Sequence, residues 1–106
     1  MERKYEDENI RLQLPKIQKN EMFAIVNRVL GGSRMDVQCA DGKSRLARIP
    51  GRKRRRMERI RMGDLLIISP WDIQDEKADI LFKYKRNQAR LLSRKKLLPI
   101  EIDVFR

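Results

Sequence analysis

The sequence predicts an all-β domain with a C-terminal helix, specifically a five-stranded OB-fold barrel. Three observations carry this. Five short apolar or alternating segments are separated by turn-forming residues. The second and third flank Asp41-Gly42, the strongest short hairpin signal in the chain. The link from the third to the fourth is long and strongly basic. Pattern alone leaves open another small five-stranded barrel, of SH3 type.

Residues 1–20 have mixed charge, weak periodicity and Pro15, and are read as a tail or loosely attached segment. Met22 to Leu30 is rich in apolar and β-branched residues and ends at Gly31-Gly32, giving a strand and a turn. From Arg34 to Ala40, Met35, Val37 and Cys39 alternate with Asp36 and Gln38, as a half-buried strand requires. Ser44 to Ile49 returns across the hairpin, but Leu46 and Ile49 fall on opposite faces, which calls for a bulge between them. Pro50-Gly51 stops that strand. Met57 and Ile60, three apart, suit one helical turn within the link. Leu65 to Ile68 is a continuous apolar run, fitting a strand buried on both faces, and Ser69-Pro70-Trp71-Asp72 breaks it. Residues 72–77 read as an acidic loop. Ile80, Phe82 and Tyr84 alternate with Leu81 and Lys83 in a fifth strand, with Phe23 and Phe82 assigned to the core. Asn87 caps a helix over residues 87–98 that Pro99 ends, and residues 99–106 form a tail. The barrel occupies residues 21–86.

Composition narrows the function. A domain of 106 residues buries roughly two thirds of its unfolded surface, enough for one core. Hydrophobic residues make up 41% and charged residues 39%, which fits a small barrel with a charged exterior and not a deep-pocketed enzyme. No apolar run approaches a membrane span, and MERKYEDENIR is not a signal peptide. The lone Cys39 excludes an internal disulfide and a cysteine zinc cluster, suits a reducing cytoplasm, and fits a small core residue better than a nucleophile. With no histidine, the usual general base and the usual metal ligand are both missing. The carboxylates Asp72, Asp75, Glu76 and Asp79 match no metal-loop spacing, so no cofactor or metal and no catalytic residue is assigned, and a nuclease has little support.

The formal net charge is +11. Residues 43–61 hold ten basic side chains and one acid, and seven of the ten lie in the run GRKRRRMERIR, residues 51–61. So dense a set of cations repels itself unless a polyanion neutralises it, and RNA is the expected partner. The main RNA-facing arm is therefore Arg52, Lys53, Arg54, Arg55, Arg56, Arg59 and Arg61. Lys43, Arg45 and Arg48 continue it on the hairpin, and Lys83, Lys85 and Arg86 form a second line. Residues 64–79 hold five acids against Lys77 alone, so the domain is expected to be two-faced. The second and third strands lack the aromatics on which single strands stack. Trp71 is read as a core lid, or as a stacking residue. Many arginines with few platform aromatics suggest recognition of folded RNA by phosphate and shape.

Several segments together resemble the translation initiation factor 1A family in its archaeal form, of which bacterial initiation factor 1 is a smaller relative. They are GGSRMDVQCADGKSRLARIP at 31–50, the GRKRRR run, IRMGDLLIISPWD at 60–72 and DEKADILFKY at 75–84. The resemblance covers about residues 22–98. It implies a non-enzymatic cytoplasmic factor, monomeric, that binds the RNA of the small ribosomal subunit at the decoding (A) site. Such a factor stabilises initiator methionyl-tRNA binding, promotes subunit dissociation and meets the initiator tRNA complex and other initiation factors. Family members usually carry Trp just before the Ile that precedes R-GD, where this chain has Arg59. Two alternatives come from other classes: a single-strand-binding protein or RNA chaperone, and a protein-interaction module whose acidic loop docks another factor.

Overall fold

In the computed structural model, which describes residues 12–31, 33–51 and 59–105, the first strand, β1, runs Met22–Gly31. Its first half is buried on both faces, and its second half, after Val26, is exposed. The change coincides with register shifts against the next strand, between Val26 and Arg28 and again between Val29 and Gly31. An extra residue in one strand sharpens coiling. That coiling lets β1 pair antiparallel with both β2 (Arg34–Cys39) and β4 (Leu65–Pro70). β3 (Ser44–Arg48) returns antiparallel from β2 across the Asp41-Gly42 turn, where Gly42 has φ +90°. β5 (Lys77–Lys83) pairs antiparallel with β4 and parallel with β3, closing a barrel of order β1-β2-β3-β5-β4. This is the expected OB-fold barrel. β4 outruns the expected break at Ser69-Pro70: Pro70 pairs with Ala78 at its last position, where a missing N–H costs little.

Two apolar clusters share the strands. Ala24, Val26, Val37, Cys39, Leu66, Ile68 and Ile80 belong to the cluster that fills the barrel, and Ile60, from the end of the long link, joins it. Phe23, Ile25, Leu65 and Ile67, the alternate residues of β1 and β4, lie in a second cluster with Tyr84, Ala89, Leu92, Leu98 and Ile102. The run Leu65–Ile68 is continuous because each of its faces meets a different core. Phe82 is half-buried against the second cluster, its ring edge-on to Tyr84 at 4.9 Å.

The helix α1, Arg86–Arg94, begins one residue before the expected cap, Asn87. The cap is Lys85, whose N–H donates to the Gln88 side chain at 2.8 Å; lysine has no acceptor with which to return the bond. The helix stops before Pro99, in a Schellman turn. Lys96 takes the left-handed conformation (φ 57°), its N–H donates to the Ser93 carbonyl and the Leu97 N–H to the Leu92 carbonyl. Beyond it the chain is no tail: a 3₁₀ turn, Ile100–Ile102, buries Ile102 in the second core, and the Ser93 hydroxyl donates to Asp103 at 2.9 Å. At the other end, Leu12 packs on the same core, and the Tyr84 hydroxyl donates to the Gln13 carbonyl. Part of segment 1–20 is thus attached.

β3 departs from expectation. No register shift separates Leu46 from Ile49, because the inward set is Arg45, Ala47 and Ile49, and Leu46 faces outward. The missing bulge and the wrong phase have one cause: a cation occupies a core position. Arg45 is 3% exposed. Its Nη atoms grip the Asp41 carboxylate at 3.0 and 2.9 Å, one Nη reaches Asp75 at 3.1 Å, and Nε donates to the Asp75 carbonyl at 2.7 Å. The last N–H direction meets the Met22 sulfur at 3.8 Å. A buried guanidinium is tolerated only with its donors satisfied in this way. Hydrogen bonding from Arg45 holds the Asp41 carboxyl below its usual value, and bonds from Lys43 and then Arg45 do the same for Asp75.

Arg45→Met is expected to lower stability by about 2 kcal/mol, less than for a fully buried pair because both carboxylates can rehydrate. A carboxylate whose folded pKa is depressed contributes stability that is present above its unfolded value, near 3.8, and is lost as pH falls through the folded one. Wild-type unfolding free energy should therefore fall as pH drops below about 4. Urea titrations at stepped pH should show a shallower acid limb in Arg45→Met, with Lys43 retaining part of the Asp75 contribution.

Candidate nucleic-acid interface

The outer face of β2, β3 and β5 carries the site. Register places Arg34 beside Arg48 and Arg48 beside Asp79. Leu46, two residues before Arg48 on the same outward set, completes the strand surface. Trp71 follows β4 directly, and its N–H donates to the Lys77 carbonyl at 2.9 Å, which folds the β4–β5 loop back over this face. A groove of about 160 Å³ results, lined by Arg34, Leu46, Arg48, Trp71 and Lys77.

Within it, Asp79 Oδ1 accepts from Trp71 Nε1 at 3.0 Å and from Arg48 Nε at 3.3 Å. The Arg48 guanidinium lies 5.0 Å from the centre of the Trp71 ring, and the Lys77 ammonium 5.5 Å. Trp71 is thus an aromatic plate held by one carboxylate and approached by two cations, each contact worth about 0.5–1 kcal/mol at such exposure. It is a half-buried surface group, not a lid on the barrel core. One carboxylate against three cations leaves the groove positive and suited to phosphate, with a ring available to a base if Arg48 or Lys77 moves.

The other candidate residues fall into distinct settings. Arg45 is corrected: a buried side chain bound to two carboxylates has no donor to offer RNA. Lys43 is exposed but paired with Asp75 at 3.0 Å. Arg59 and Arg61 flank Ile60; because Ile60 is drawn into the barrel, its neighbours are forced outward, and both are exposed. Arg59 takes φ 62°, a conformation costing a non-glycine residue about 1 kcal/mol. Arg52, Lys53, Arg54, Arg55, Arg56 and the helical turn expected from Met57 lie outside the described residues. Lys83 sits 3.9 Å from Asp64, and Lys85 and Arg86 are exposed where α1 begins. Arg34 and Lys77 were not among the candidates. Counting back from a two-residue Asp41-Gly42 loop would pair residue 34 with 49; the loop is one residue longer, Cys39 meeting Lys43, and the pair is 34 with 48, so hairpin register points only to the neighbourhood of Arg34. Lys77 depends on the parallel β3–β5 contact, for which no local pattern exists.

The acidic stretch is not a uniform solvent loop: Asp72 and Glu76 are exposed, but Asp75 and Asp79 hold Arg45, Lys43, Arg48 and Trp71. Among the described residues no cluster of side chains could hold a metal ion, and no helix is long and apolar enough to cross a membrane. Cys39 is fully buried, and burial pushes its thiol up.

A family model described as translation initiation factor 1A / IF-1 matches residues 9–105. The curated translation initiation factor 1A of Thermoplasma volcanium is 50% identical over 102 residues, spanning 95% of this chain and 82% of that protein. Its counterpart from Thermoplasma acidophilum is 51% identical over 96 residues, spanning 91% and 80%. Among solved structures, YjeQ from Thermotoga maritima matches with a TM-score of 0.50 at 18% identity, over 61% of this chain and 23% of that one, a likeness of fold alone.

Trp71 is the sole tryptophan, so its emission reports on the groove. Asp79→Ala removes the acceptor for both the indole and Arg48. A red-shifted emission with easier acrylamide quenching is expected, with only about 1 kcal/mol of stability lost; unchanged quenching would mean that Asp79 does not hold the ring.

Proposed function

The chain belongs to the translation initiation factor 1A / IF-1 family and is a non-enzymatic translation initiation factor, and we propose that it works by laying its β2–β3–β5 face against RNA of the small ribosomal subunit at the decoding (A) site. The observation that carries this reading is the positive groove of Arg34, Arg48 and Lys77 around Trp71. It borders the end of β3, from which the chain enters the basic run at 51–61. Arginine forks straddle phosphates, and the side chains of Arg34, Arg59 and Arg61, none of which is ion-paired among the described residues, are open to do so. Arg48 reaches a phosphate by exchanging Asp79 for it. Bound there, the factor stabilises initiator methionyl-tRNA and promotes subunit dissociation, alongside the initiator tRNA complex and other initiation factors. Mutual repulsion at +11 favours a monomer. The cytoplasm is where such a factor meets ribosomes.

A second reading, a general single-strand binder, draws on Trp71 as a stacking ring. One plate already approached by two cations is a weak platform compared with the successive aromatics such proteins use.

Chemical footprinting of small-subunit RNA should show protection confined to the decoding region; none there would overturn the proposal. If about six phosphates are neutralised, the slope of log affinity against log salt should lie near −4 to −5. Arg34→Ala should flatten it by about one unit, and the triple change of Arg54, Arg55 and Arg56 to Ala should abolish most binding. Tight binding to short oligonucleotides with strong Trp71 quenching would favour the second reading.

A further inference from the structure

The end of α1 and the returning chain enclose a second cavity, of about 470 Å³, on a different side of the molecule. The helix packs over the outer residues of β1 and β4, whereas the basic groove lies outside β2, β3 and β5. In a closed barrel these are separate sides. The cavity presents buried Leu98, half-buried Phe105 and Ile100, which is 66% exposed.

Its charges are mainly positive. Arg94 and Lys96 line it, both exposed and without a carboxylate partner among the described residues. The one acid in the lining, Asp103, is already bound by the Ser93 hydroxyl at 2.9 Å and the Phe105 N–H at 3.1 Å. Arg90 stands four residues before Arg94, a like-charge pair that nothing described relieves. Lys96 occupies the left-handed position of the Schellman turn, where glycine is the less strained choice. A cation thus stands at the cavity where the local backbone favours glycine.

We propose that this cavity is a docking site for an acidic amphipathic segment of a partner protein, its apolar side chains seated on Leu98, Ile100 and Phe105 and its carboxylates on Arg94 and Lys96. Charge complementarity selects that occupant. A second copy of this chain would bring another +11 against the same cations. RNA would satisfy the cations but leave the apolar lining without a complement. A peptide bearing both Leu or Phe and Asp or Glu satisfies both.

The test uses the full chain and a fluorescein-labelled synthetic peptide of alternating Asp and Leu around one Phe, with a Lys-for-Asp version and an oligouridine as comparisons. The acidic peptide should bind, and amide shifts should centre on residues 93–105. Arg94→Glu with Lys96→Glu should weaken it by about tenfold or more. Ile100→Ser, at an exposed position, should weaken it by about threefold and leave small-subunit binding unchanged. Lys96→Gly is the sharpest variant: it should raise Tm while weakening the peptide, so lost binding cannot be ascribed to lost folding. Failure of the peptide to bind, equal weakening by Arg34→Glu in the other groove, or the same shifts with oligouridine would each overturn the proposal.

Discussion

The Arg45 guanidinium ties together three parts of the chain that backbone pairing alone leaves loosely joined. It sits on β3, grips Asp41 in the β2–β3 turn and holds both the carboxylate and the carbonyl of Asp75 in the β4–β5 loop. The loop is further fixed one residue on, where the Leu46 N–H donates to the Glu76 carbonyl at 2.9 Å. Trp71 and Lys77 stand at the two ends of that loop. Their place beside Arg48 and Arg34 is therefore set jointly by the β3–β5 register and by a cation almost wholly withdrawn from solvent. A hydrophobic residue at position 45 could fill the same volume, but it could not choose where the loop lies.

Charge in this chain divides by what answers it. Arg45, Lys43, Arg48 and Arg28 each face a named carboxylate, and their energy goes largely into holding strands and loops together. Arg34, Arg59, Arg61, Arg94 and Lys96 have none among the described residues. Only the second group keeps its full attraction for a partner, because an ion pair already made must be broken before a phosphate or carboxylate replaces it. Arg48 belongs partly to both: its pair is surface-exposed and long, so exchange costs little. A count of basic residues treats all these alike, which is why the sequence overstated Arg45 as a contact and overlooked Arg34.

Most of the barrel was legible because its signals are local. Alternation in 35–39, the Asp41-Gly42 turn and the two-faced run Leu65–Ile68 each report on their own strand. The features that were not legible depend on tertiary partners. Arg45 breaks the apolar alternation of β3, and only the presence of Asp41 and Asp75 makes that phase possible. Lys96 ends α1 in a conformation that its type disfavours, so the nearby Pro99 looked like the stop. Ile102 leaves the surface because Leu92, Leu98 and Tyr84 form a second core outside the barrel, and a single amphipathic face on α1 does not say what returns to cover it.

That second core also bears on how many partners one small domain can hold. A barrel whose whole outer surface faced solvent would offer RNA and proteins the same strands, and they would compete. Here the outer side of β1 and β4 is withdrawn under α1, and the returning chain converts it into a surface of different chemistry: apolar, bordered by Arg94 and Lys96. The outer side of β2, β3 and β5 keeps its positive groove. Because the barrel is closed, the two lie on separate sides, so an occupant of one neither covers the other nor shares its cations. Coupling between them has β5 as its shortest path, since Lys77 and Asp79 face the groove and Phe82 packs on the second core, but the neighbouring Phe23–Val26 and Leu65–Ile68 are packed on both faces and leave little room to move. Independent binding at the two sides is the behaviour this architecture favours.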